Sequence, residues 1–380
     1  MQKRYLTSYA VLAGLISTPT LAATEVEQLR QQVETLEDRL NQTTSAVEGM
    51  MQGGGKSKTH IGGYGELHYN NIETEVNGVS TGTNKEIDFH RFVLFFNHDF
   101  SERVRLHTEL ELEHSLSGEG KPGEVELEQA YVEFDLNERH SAKGGLFLIP
   151  VGILNETHEP PTFYGVERNP IENKIIPTTW WEAGAGLSGE LAPGWGYDLA
   201  FHSGLSTTDA TIRSGRQKVA EAVANDWAMT GRVKYTGIPG TELALAVQNQ
   251  ADIAQGQNAD ANSATLIETH AVWQRGPFGA RALYAAWDID GAAPKALGKD
   301  EQEGYYVEGS YKVMPELGVF ARIASWDLEA GNATDTEEEQ TNIGLNWWPH
   351  PDVVVKFDIE SYEQGNTEKS GYNAGIGYQF

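Results

Sequence analysis

The chain from Lys58 to Phe380 is a succession of short runs in which apolar and polar residues alternate, and this period of two constrains the fold more than any other feature. The clearest run is residues 103–114 (RVRLHTELELEH), where Val104 and three leucines alternate with charged residues. Alternation at every second residue is typical of β-strands that present one face to an apolar medium and the other to water. We therefore expect an all-β fold.

Sixteen such runs are predicted to be strands. They lie near residues 59–70, 85–100, 103–115, 124–137, 140–149, 179–191, 195–205, 225–236, 241–250, 264–275, 278–288, 304–313, 317–327, 340–348, 352–361 and 371–380. Seven short turns alternate with eight longer polar loops, and this asymmetry is typical of outer-membrane barrels with short periplasmic turns and long external loops. The predicted loops lie near 71–84, 116–123, 150–178, 206–224, 251–263, 289–303, 328–339 and 362–370.

Because every backbone group must be paired within hydrocarbon, strands of this kind have to close on themselves. The fold class predicted for residues 59–380 is therefore a 16-stranded antiparallel transmembrane β-barrel. A soluble all-β domain is the alternative, but it does not need the aromatic residues that recur at strand ends beside the short turns. These residues are Phe100, Trp195, Tyr235, Phe278, Tyr311, Trp347, Trp348 and Phe380.

Two runs depart from the regular pattern. Residues 92–96 (FVLFF) are apolar on both faces, which indicates contact with another protomer or with a loop inside the barrel. Residues 124–131 change phase, which indicates a β-bulge or a strand that starts late.

The first 58 residues have a different character. Residues 1–22, with Lys3 and Arg4 before a short apolar run and a small-residue cleavage pattern, are predicted to be a secretory signal peptide. Residues 23–48 carry Val and Leu at heptad positions and are predicted to form a short periplasmic coiled-coil helix, with a single amphipathic helix as the alternative. Residues 49–58 are a predicted Gly-rich linker.

Composition excludes several classes of function. The chain has 55 acidic against 28 basic residues, a formal net charge of -27, which argues against nucleic acid as a partner. Its 380 residues include no cysteine, so neither disulfides nor thiol chemistry are expected. The chain lacks the H-E-x-x-H motif of zinc proteases. We predict no enzyme activity, no cofactor and no metal site.

The predicted loop at residues 150–178 is unlike its neighbours, because it is long, rich in proline and mixes charged with apolar residues. Proline restricts the backbone, which suits a loop that must keep its shape inside a pore. We expect this loop to fold inward and to narrow the channel. Its charged members form the predicted pore constriction: Glu156, His158, Glu159, Glu167, Arg168, Glu172 and Lys174.

The inward faces of the strands are expected to form a polar, water-filled wall. The predicted pore-wall residues are Arg103, Arg105, Glu109, Glu111, Glu113, Arg232 and Lys234. Rings of acid favour cations and rings of base favour anions, and the mixture here leaves the preference open.

The chain resembles the Gram-negative porins typified by phosphate-selective porins O and P. The resemblance covers about residues 59–380 and depends on GGYGELHYN, IDFHRFVLFFNHDF and the long stretch from Gly145 to Leu191. It implies a trimer of sixteen-stranded barrels in the outer membrane, each with its third external loop folded inward. The final GYQF, which ends in Phe380, is similar to the signal read by the barrel-assembly machinery.

The expected function is an outer-membrane porin for passive diffusion of small hydrophilic solutes and ions. The resemblance implies that phosphate-selective members of the family carry clustered arginines and lysines in the pore. In this chain, the candidate inward acids outnumber the candidate inward bases. A solute-specific channel for anions such as phosphate, and a structural or adhesive barrel, therefore remain as alternatives.

Overall fold

A computed structural model describes residues 58–258 and 262–380 of the chain. The predicted signal peptide, the coiled coil and all of the linker but Lys58 lie outside the described residues.

The described residues form sixteen strands, which confirms the predicted number. The strands are β1 (Thr59–Val76), β2 (Val79–Asp99), β3 (Val104–Glu113), β4 (Val125–Asp135), β5 (His140–Leu148), β6 (Trp181–Ala192), β7 (Trp195–His202), β8 (Ala228–Tyr235), β9 (Thr241–Gln250), β10 (Ala264–Arg275), β11 (Phe278–Ile289), β12 (Glu301–Met314), β13 (Leu317–Asp327), β14 (Glu338–His350), β15 (Val353–Gln364) and β16 (Thr367–Gln379). Each pairs with its neighbours in sequence, and β1 pairs antiparallel with β16, so the sheet closes into a barrel.

Between β11 and β12 lies one short α-helix, α1 (Ala292–Leu297), in a segment that the sequence predicts to be a loop. Among the described residues, no helix is both long and apolar enough to cross a membrane.

Side-chain burial follows the predicted alternation. On β15, Phe357 and Ile359 are 39% and 58% exposed, whereas Lys356 and Asp358 between and beside them are buried. The charged side chains therefore point into the barrel and the apolar ones point outward, which is the reverse of a water-soluble domain. The outward apolar face is the surface expected to meet lipid.

The two ends of the barrel differ, as predicted. The end that holds both Thr59 and Phe380 has the short turns between strands, and we call it the turn end. The opposite end, the loop end, carries the longer connections, among them loop 3 (residues 149–180) and loop 4 (residues 203–227).

Two of the eight predicted long loops are wrong. Residues 71–84 are mostly strand, and β1 and β2 are joined by the two-residue turn Asn77-Gly78, in which both residues have positive φ. Similarly, β15 and β16 are joined by Gly365-Asn366. Strands that extend beyond the membrane are wetted on both faces, so the alternation that identifies them in the sequence is lost there. Asn-Gly is itself a strong hairpin signal, which a period of two does not register.

The two irregular runs have different explanations. Between β3 and β4, the pairing shifts after Glu109–Gln129, so that Glu128 has no partner of its own; the predicted bulge is confirmed. In the apolar run of β2, Val93 is fully buried in the lumen while Phe96 is 41% exposed on the outer face.

Aromatic pairs on neighbouring strands lie at the turn end, as expected for an interfacial girdle. Trp195 and Tyr235 have ring centroids 4.8 Å apart, and Phe278 and Tyr311 are 5.1 Å apart. Trp348 is an exception, because its indole N–H donates to the carbonyl of Pro161 in loop 3 and therefore lies inside the barrel. Its inward direction follows the alternation along β14, in which Trp347 points outward and is 48% exposed.

Candidate functional site

Loop 3 is closed at its base by a short network around Asn155. The amide of Ile149 donates to the carbonyl of Trp180 over 3.0 Å. The Asn155 side chain, which is fully buried, donates to both of these residues' carbonyls over 2.8 and 2.9 Å and accepts from the amide of Trp180 over 2.7 Å. Because these bonds link the chain entering loop 3 to the chain leaving it, the loop has a fixed base.

Glu172 holds the interior of loop 3 together. Its Oε1 accepts the backbone amides of Ile153 and Leu154, each over 2.5 Å, and its Oε2 accepts from Asn169 over 2.9 Å and from the Tyr306 hydroxyl over 3.2 Å. Burial raises the pKa of this carboxyl above its usual range, although the donors oppose the shift. Glu172, predicted to line the constriction, therefore lies at 0% exposure inside the loop.

The tip of loop 3 crosses the lumen and binds the opposite wall. Arg281 on β11 donates to the carbonyl of Thr162 over 2.8 Å, and Asn346 on β14 donates to that of Phe163 over 2.9 Å. The amide of Val166 donates to Asp358 on β15 over 2.8 Å. These contacts reach main-chain atoms of loop 3, so the path of its backbone is set by inward side chains of the wall.

One side of loop 3 is packed dry, and we call it the dry side. Ile171, Ile175 and Ile176 are fully buried in an apolar cluster with Trp180 of the loop and Trp287 of β11. The Trp287 indole N–H donates to the carbonyl of Ile175 over 2.9 Å. Each buried isoleucine removes an apolar side chain from water, worth about 1.5–3 kcal/mol. This packing holds the loop against β9–β13.

The other side of loop 3 faces charged wall residues, and we call it the charged side. Glu156 approaches Arg232 on β8 with 2.5 Å between Oε2 and Nη1, and Arg232 also binds Asp198 over 2.7 Å. His158 contacts Glu109 on β3, with Nε2 3.3 Å from Oε1. Four of the predicted residues thus meet as partners between the loop and the wall, Glu156 with Arg232 and His158 with Glu109.

Glu167 makes the next contact along the charged side. Its Oε1 lies 3.0 Å from His68 Nδ1 and 3.1 Å from Asn70 Nδ2, both on β1. Burial raises the pKa of Glu167, but the charge of His68 and the hydrogen bond to it outweigh burial and bring the value to about 2. The carboxylate is therefore ionised.

The remaining predicted loop residues are less involved. Lys174 is exposed, and Glu159 is half-buried, with its carbonyl capping the turn Pro160–Thr162. Arg168 donates to the Thr179 hydroxyl over 3.0 Å, while its Nε and Nη2 are buried without a hydrogen-bond partner among the described residues.

The predicted wall residues are distributed between the lumen and the turn end. Glu111 lies 3.4 Å from Arg91, and Arg105 binds Glu133 over 2.6 Å. Arg103 is exposed in the turn before β3. Glu113 is half-buried at the loop end of β3, and Lys234 is half-buried at the turn end of β8.

Loop 4 supplies charged residues that the sequence analysis missed. Arg213 donates to the carbonyl of Thr178 over 2.9 Å, and Arg216 donates to that of Thr179. With Arg168 they form the arginine cluster, three guanidinium groups gathered on two consecutive residues of loop 3. Residues 206–224 have no periodic pattern, because a loop that folds back does not need one. The three basic residues in this segment are the only sequence feature that indicates a role in the lumen.

Mutual repulsion is visible in this arginine cluster. Burial and then the neighbouring Arg216 and Arg168 lower the pKa of Arg213 to about 10. Burial and then Arg91 lower the pKa of Arg168 below its usual range, while Glu66 and Glu128 oppose that shift. The cluster therefore remains cationic at neutral pH and is incompletely neutralised by acids.

Opposite the arginines lies the glutamate cluster, formed by Glu111 on β3 and by Glu126 and Glu128 on β4. Their carboxylate oxygens lie within 4.8 Å of one another, and all three side chains are buried. The bulge in β4 places Glu128 beside Glu126 on the inner face. Lys218 of loop 4 binds Glu126 and, over 2.6 Å, Glu124. Basic loop residues and acidic wall residues thus share one region of the lumen.

A serine motif of α/β-hydrolases also occurs in the sequence, as G-x-S-x-G at residues 78–82. In the structure, Ser80 is exposed at the tip of the β1–β2 hairpin, in extended strand. This is not the strand–turn–helix setting that such a nucleophile needs.

Known proteins match this chain in both sequence and fold. The family model described as phosphate-selective porin O and P matches residues 61–371. An uncharacterized protein of Aquifex aeolicus (strain VF5) is 30% identical over 371 residues, which cover 86% of this chain and 80% of that protein. The anion-selective porin from Comamonas acidovorans has a TM-score of 0.61 at 12% identity, with 85% of this chain and 100% of that chain covered. The trimer form of in-vitro folded OmpT, an outer membrane protein of Vibrio cholerae, has a TM-score of 0.54 at 10% identity, with 85% and 100% covered.

Proposed function

This chain belongs to the family of phosphate-selective porins O and P and is an outer-membrane porin, and we propose that loop 3 sets the width of its water-filled channel. Small hydrophilic solutes and ions cross such a channel by passive diffusion. Proteins of this family and fold are channels rather than enzymes. The observation that carries the proposal is that the wall hydrogen-bonds the main chain of loop 3 on the far side of the lumen. A loop held at its base and its tip is a rigid obstacle to solutes.

We assign the field in the constriction to the charged side of loop 3 and to the wall that faces it. Glu156, His158 and Glu167 are partnered there by wall residues, and Arg168 extends the field toward loop 4. Glu172 is assigned a structural role instead, because its oxygens are occupied within the loop and by Tyr306.

An anion-selective channel is the second candidate, and the arginine cluster favours it. The Nε and Nη2 atoms of Arg168 are buried and have no partner among the described residues. Unpaired guanidinium donors inside a pore attract anions, and Arg suits phosphate by its fork geometry. The reversal potential of the purified porin in a KCl gradient decides between cation and anion preference.

We further propose a homotrimer, as in the trimer form of the Vibrio cholerae neighbour. Its outward apolar face would contact outer-membrane lipid, Phe380 would present the chain to the barrel-assembly machinery, and residues 23–48 would form a periplasmic coiled coil. Light scattering of the detergent-solubilised protein tests the trimer, since a mass of one chain would contradict it.

Deleting residues 157–168 of loop 3 tests the constriction. Because Glu172 binds Ile153 and Leu154 on one side of the deletion and Asn169 on the other, a short glycine linker is used to join the ends. We expect single-channel conductance in planar bilayers to rise, because the tip no longer crosses the lumen.

The matched control removes the same number of residues from the tip of the β1–β2 hairpin, where the chain is exposed. Its conductance should equal that of the parent protein. Unchanged conductance after loop 3 deletion contradicts the constriction role. A folded parent protein that never gives conductance steps would instead favour the structural or adhesive alternative.

A further inference from the structure

Asp88, His90 and His114 gather on the inner wall of β2 and just beyond the end of β3. We propose that these three side chains form an exchangeable binding site for a divalent transition-metal ion of the Zn²⁺ type, on the lumen wall toward the loop end. This goes beyond the porin function, because diffusion of solutes does not need such a site.

The ligand atoms are already close to the required geometry. Asp88 Oδ2 lies 3.1 Å from His90 Nδ1 and 2.8 Å from His114 Nδ1. All three ligand atoms lie within 4.8 Å of one another. Around a tetrahedral Zn²⁺ with bonds of about 2.0–2.1 Å, neighbouring ligand atoms are roughly 3.3 Å apart. The two distances from Asp88 therefore need to lengthen by only a few tenths of an ångström to admit the ion.

A β-bulge places His90 on the inner face. Glu66 pairs with Arg91 and His68 pairs with Asp88, so two residues of β2 lie opposite the single residue of β1 between them. A bulge of this kind re-aims a side chain, and here His90 stacks on His68 in the lumen with ring centroids 4.8 Å apart. In a regular strand, Asp88 and His90 would lie on the face opposite to Arg91. The extra residue brings all three to the inner face.

The backbone also holds His114 in place. This residue has a positive φ of 51°, a conformation that is uncommon for residues other than glycine, and its amide donates to the carbonyl of His90 over 3.1 Å. The two histidines are thus tied together through the main chain. Both histidines present Nδ1 to the same carboxylate oxygen of Asp88. If each ring proton moves to Nε2, the Nδ1 lone pairs of both histidines become free to bind the ion, and no proton is released.

The site is reachable from the lumen, and its ligand types suit a transition-metal ion. The side chains of His90, His114 and Asp88 are 29%, 31% and 16% exposed, so water and ions have access. Three protein ligands leave a coordination position for water, which is typical of exchangeable rather than structural sites. Imidazole nitrogen suits Zn²⁺, Cu²⁺ and Ni²⁺, whereas Mg²⁺ and Ca²⁺ require oxygen ligands. Glu66 and Glu167, both bound to His68, offset the positive charges of His68 and Arg91 beside the site.

Titration calorimetry of the full, detergent-solubilised porin with ZnCl₂ tests the site, with MgCl₂ as the comparison ion. We expect one Zn²⁺ per chain that Mg²⁺ does not displace. The double variant His90→Ala/His114→Ala should lose this binding, and Asp88→Asn should weaken it by about tenfold or more. The matched control is His60→Ala/His98→Ala, which removes two histidines at the turn end and should bind as the parent does.

A second measurement protects the test against misfolding. Each variant should keep the heat-modifiable migration of a folded barrel on gels, and Co²⁺ should give visible absorption bands with the parent but not with the double variant. Absence of Zn²⁺ binding by the parent, or equal binding by the folded double variant, overturns the proposal.

Discussion

Loop 3 has two sides, and they are held by different forces. On the dry side, Ile171, Ile175 and Ile176 are packed against the wall with almost no contact with water. On the charged side, Glu156 and Glu167 meet Arg232 and His68 in ion pairs that water can reach. Apolar burial is non-directional and is not screened by salt as charges are, whereas partly exposed ion pairs are weak and screened.

The difference indicates a division of labour within one loop. The dry side supplies the free energy that keeps the loop inside the barrel, and the charged side is left to interact with solutes. Substitutions on the dry side should therefore change the size of the channel, while those on the charged side should change its preference among ions.

The largest effect should follow from Ile175→Asp. An unpaired carboxylate in the apolar cluster costs several kcal/mol, more than the contacts of that segment supply, so the dry side should separate from the wall. We expect increased and noisier single-channel conductance, and faster cleavage of loop 3 by an added protease.

Lys174→Asp is the control for that variant, because the neighbouring position is exposed. It changes the loop charge by more than Ile175→Asp does, yet it should leave conductance and cleavage near parental values. If both variants behaved alike, charge rather than burial would hold the loop, and the division between the two sides would fail.

Substitutions of Glu172, which joins the two sides, should raise conductance and loop cleavage by less than Ile175→Asp does. In Glu172→Ala the amides of Ile153 and Leu154 lose their acceptor. Each buried donor left unpaired destabilises the docked loop by about 1–3 kcal/mol. Glu172→Gln keeps an acceptor but removes the ionisable proton, so it separates the hydrogen bonds from the charge.

The pH dependence of loop 3 has a definite sign. Burial raises the pKa of Glu172 in the docked loop, whereas in an undocked loop it keeps a value of about 4.3. The contribution of Glu172 to the free energy of docking is therefore fully present below about pH 4.3, and it is lost as the pH rises through the raised pKa of the docked state. Open-channel noise should grow with pH in the parent more than in Glu172→Gln; equal slopes would contradict this assignment.

The smallest expected effect is that of the triple variant Arg168→Gln/Arg213→Gln/Arg216→Gln. A unit charge at about 7 Å in water contributes roughly 0.6 kcal/mol, so each charge removed should lower the anion concentration in the channel about threefold and raise the cation concentration by as much. The anion-to-cation permeability ratio should fall accordingly, with conductance little changed. Reversal potentials in a KCl gradient measure this. Arg103→Gln, exposed at the turn end, is the control, and a matching shift there would show that the arginine cluster has no special role.

The sequence predicts the barrel well because alternation is a local property. The inward direction of Glu109 and the outward direction of Leu110 follow from their positions along β3, and both are confirmed. The number of strands and the closure of the sheet follow from repetition of the same signal.

The sequence predicts the lumen poorly because its contacts depend on how loops fold back. Nothing local distinguishes buried Glu172 from exposed Lys174, and nothing places Arg213 of loop 4 on the carbonyl of Thr178. The bulge that turns His90 inward is equally invisible to a period of two, because it changes the period itself. Such pairings join residues far apart in the chain, and only the closed barrel brings them together.

The β1–β2 hairpin is taller than a membrane requires. Its strands have 18 and 21 residues, whereas about 10 suffice to cross hydrocarbon, so roughly 30 Å of ribbon projects past the loop end. Beyond His90, whose carbonyl accepts the amide of His114, β2 has no pairing with β3 among the described residues. The outer edge of the projection is therefore an unpaired strand edge. With the loop end outside the cell, this ribbon would be the first surface that an antibody or a bacteriophage meets, and its recognition would leave conductance untouched.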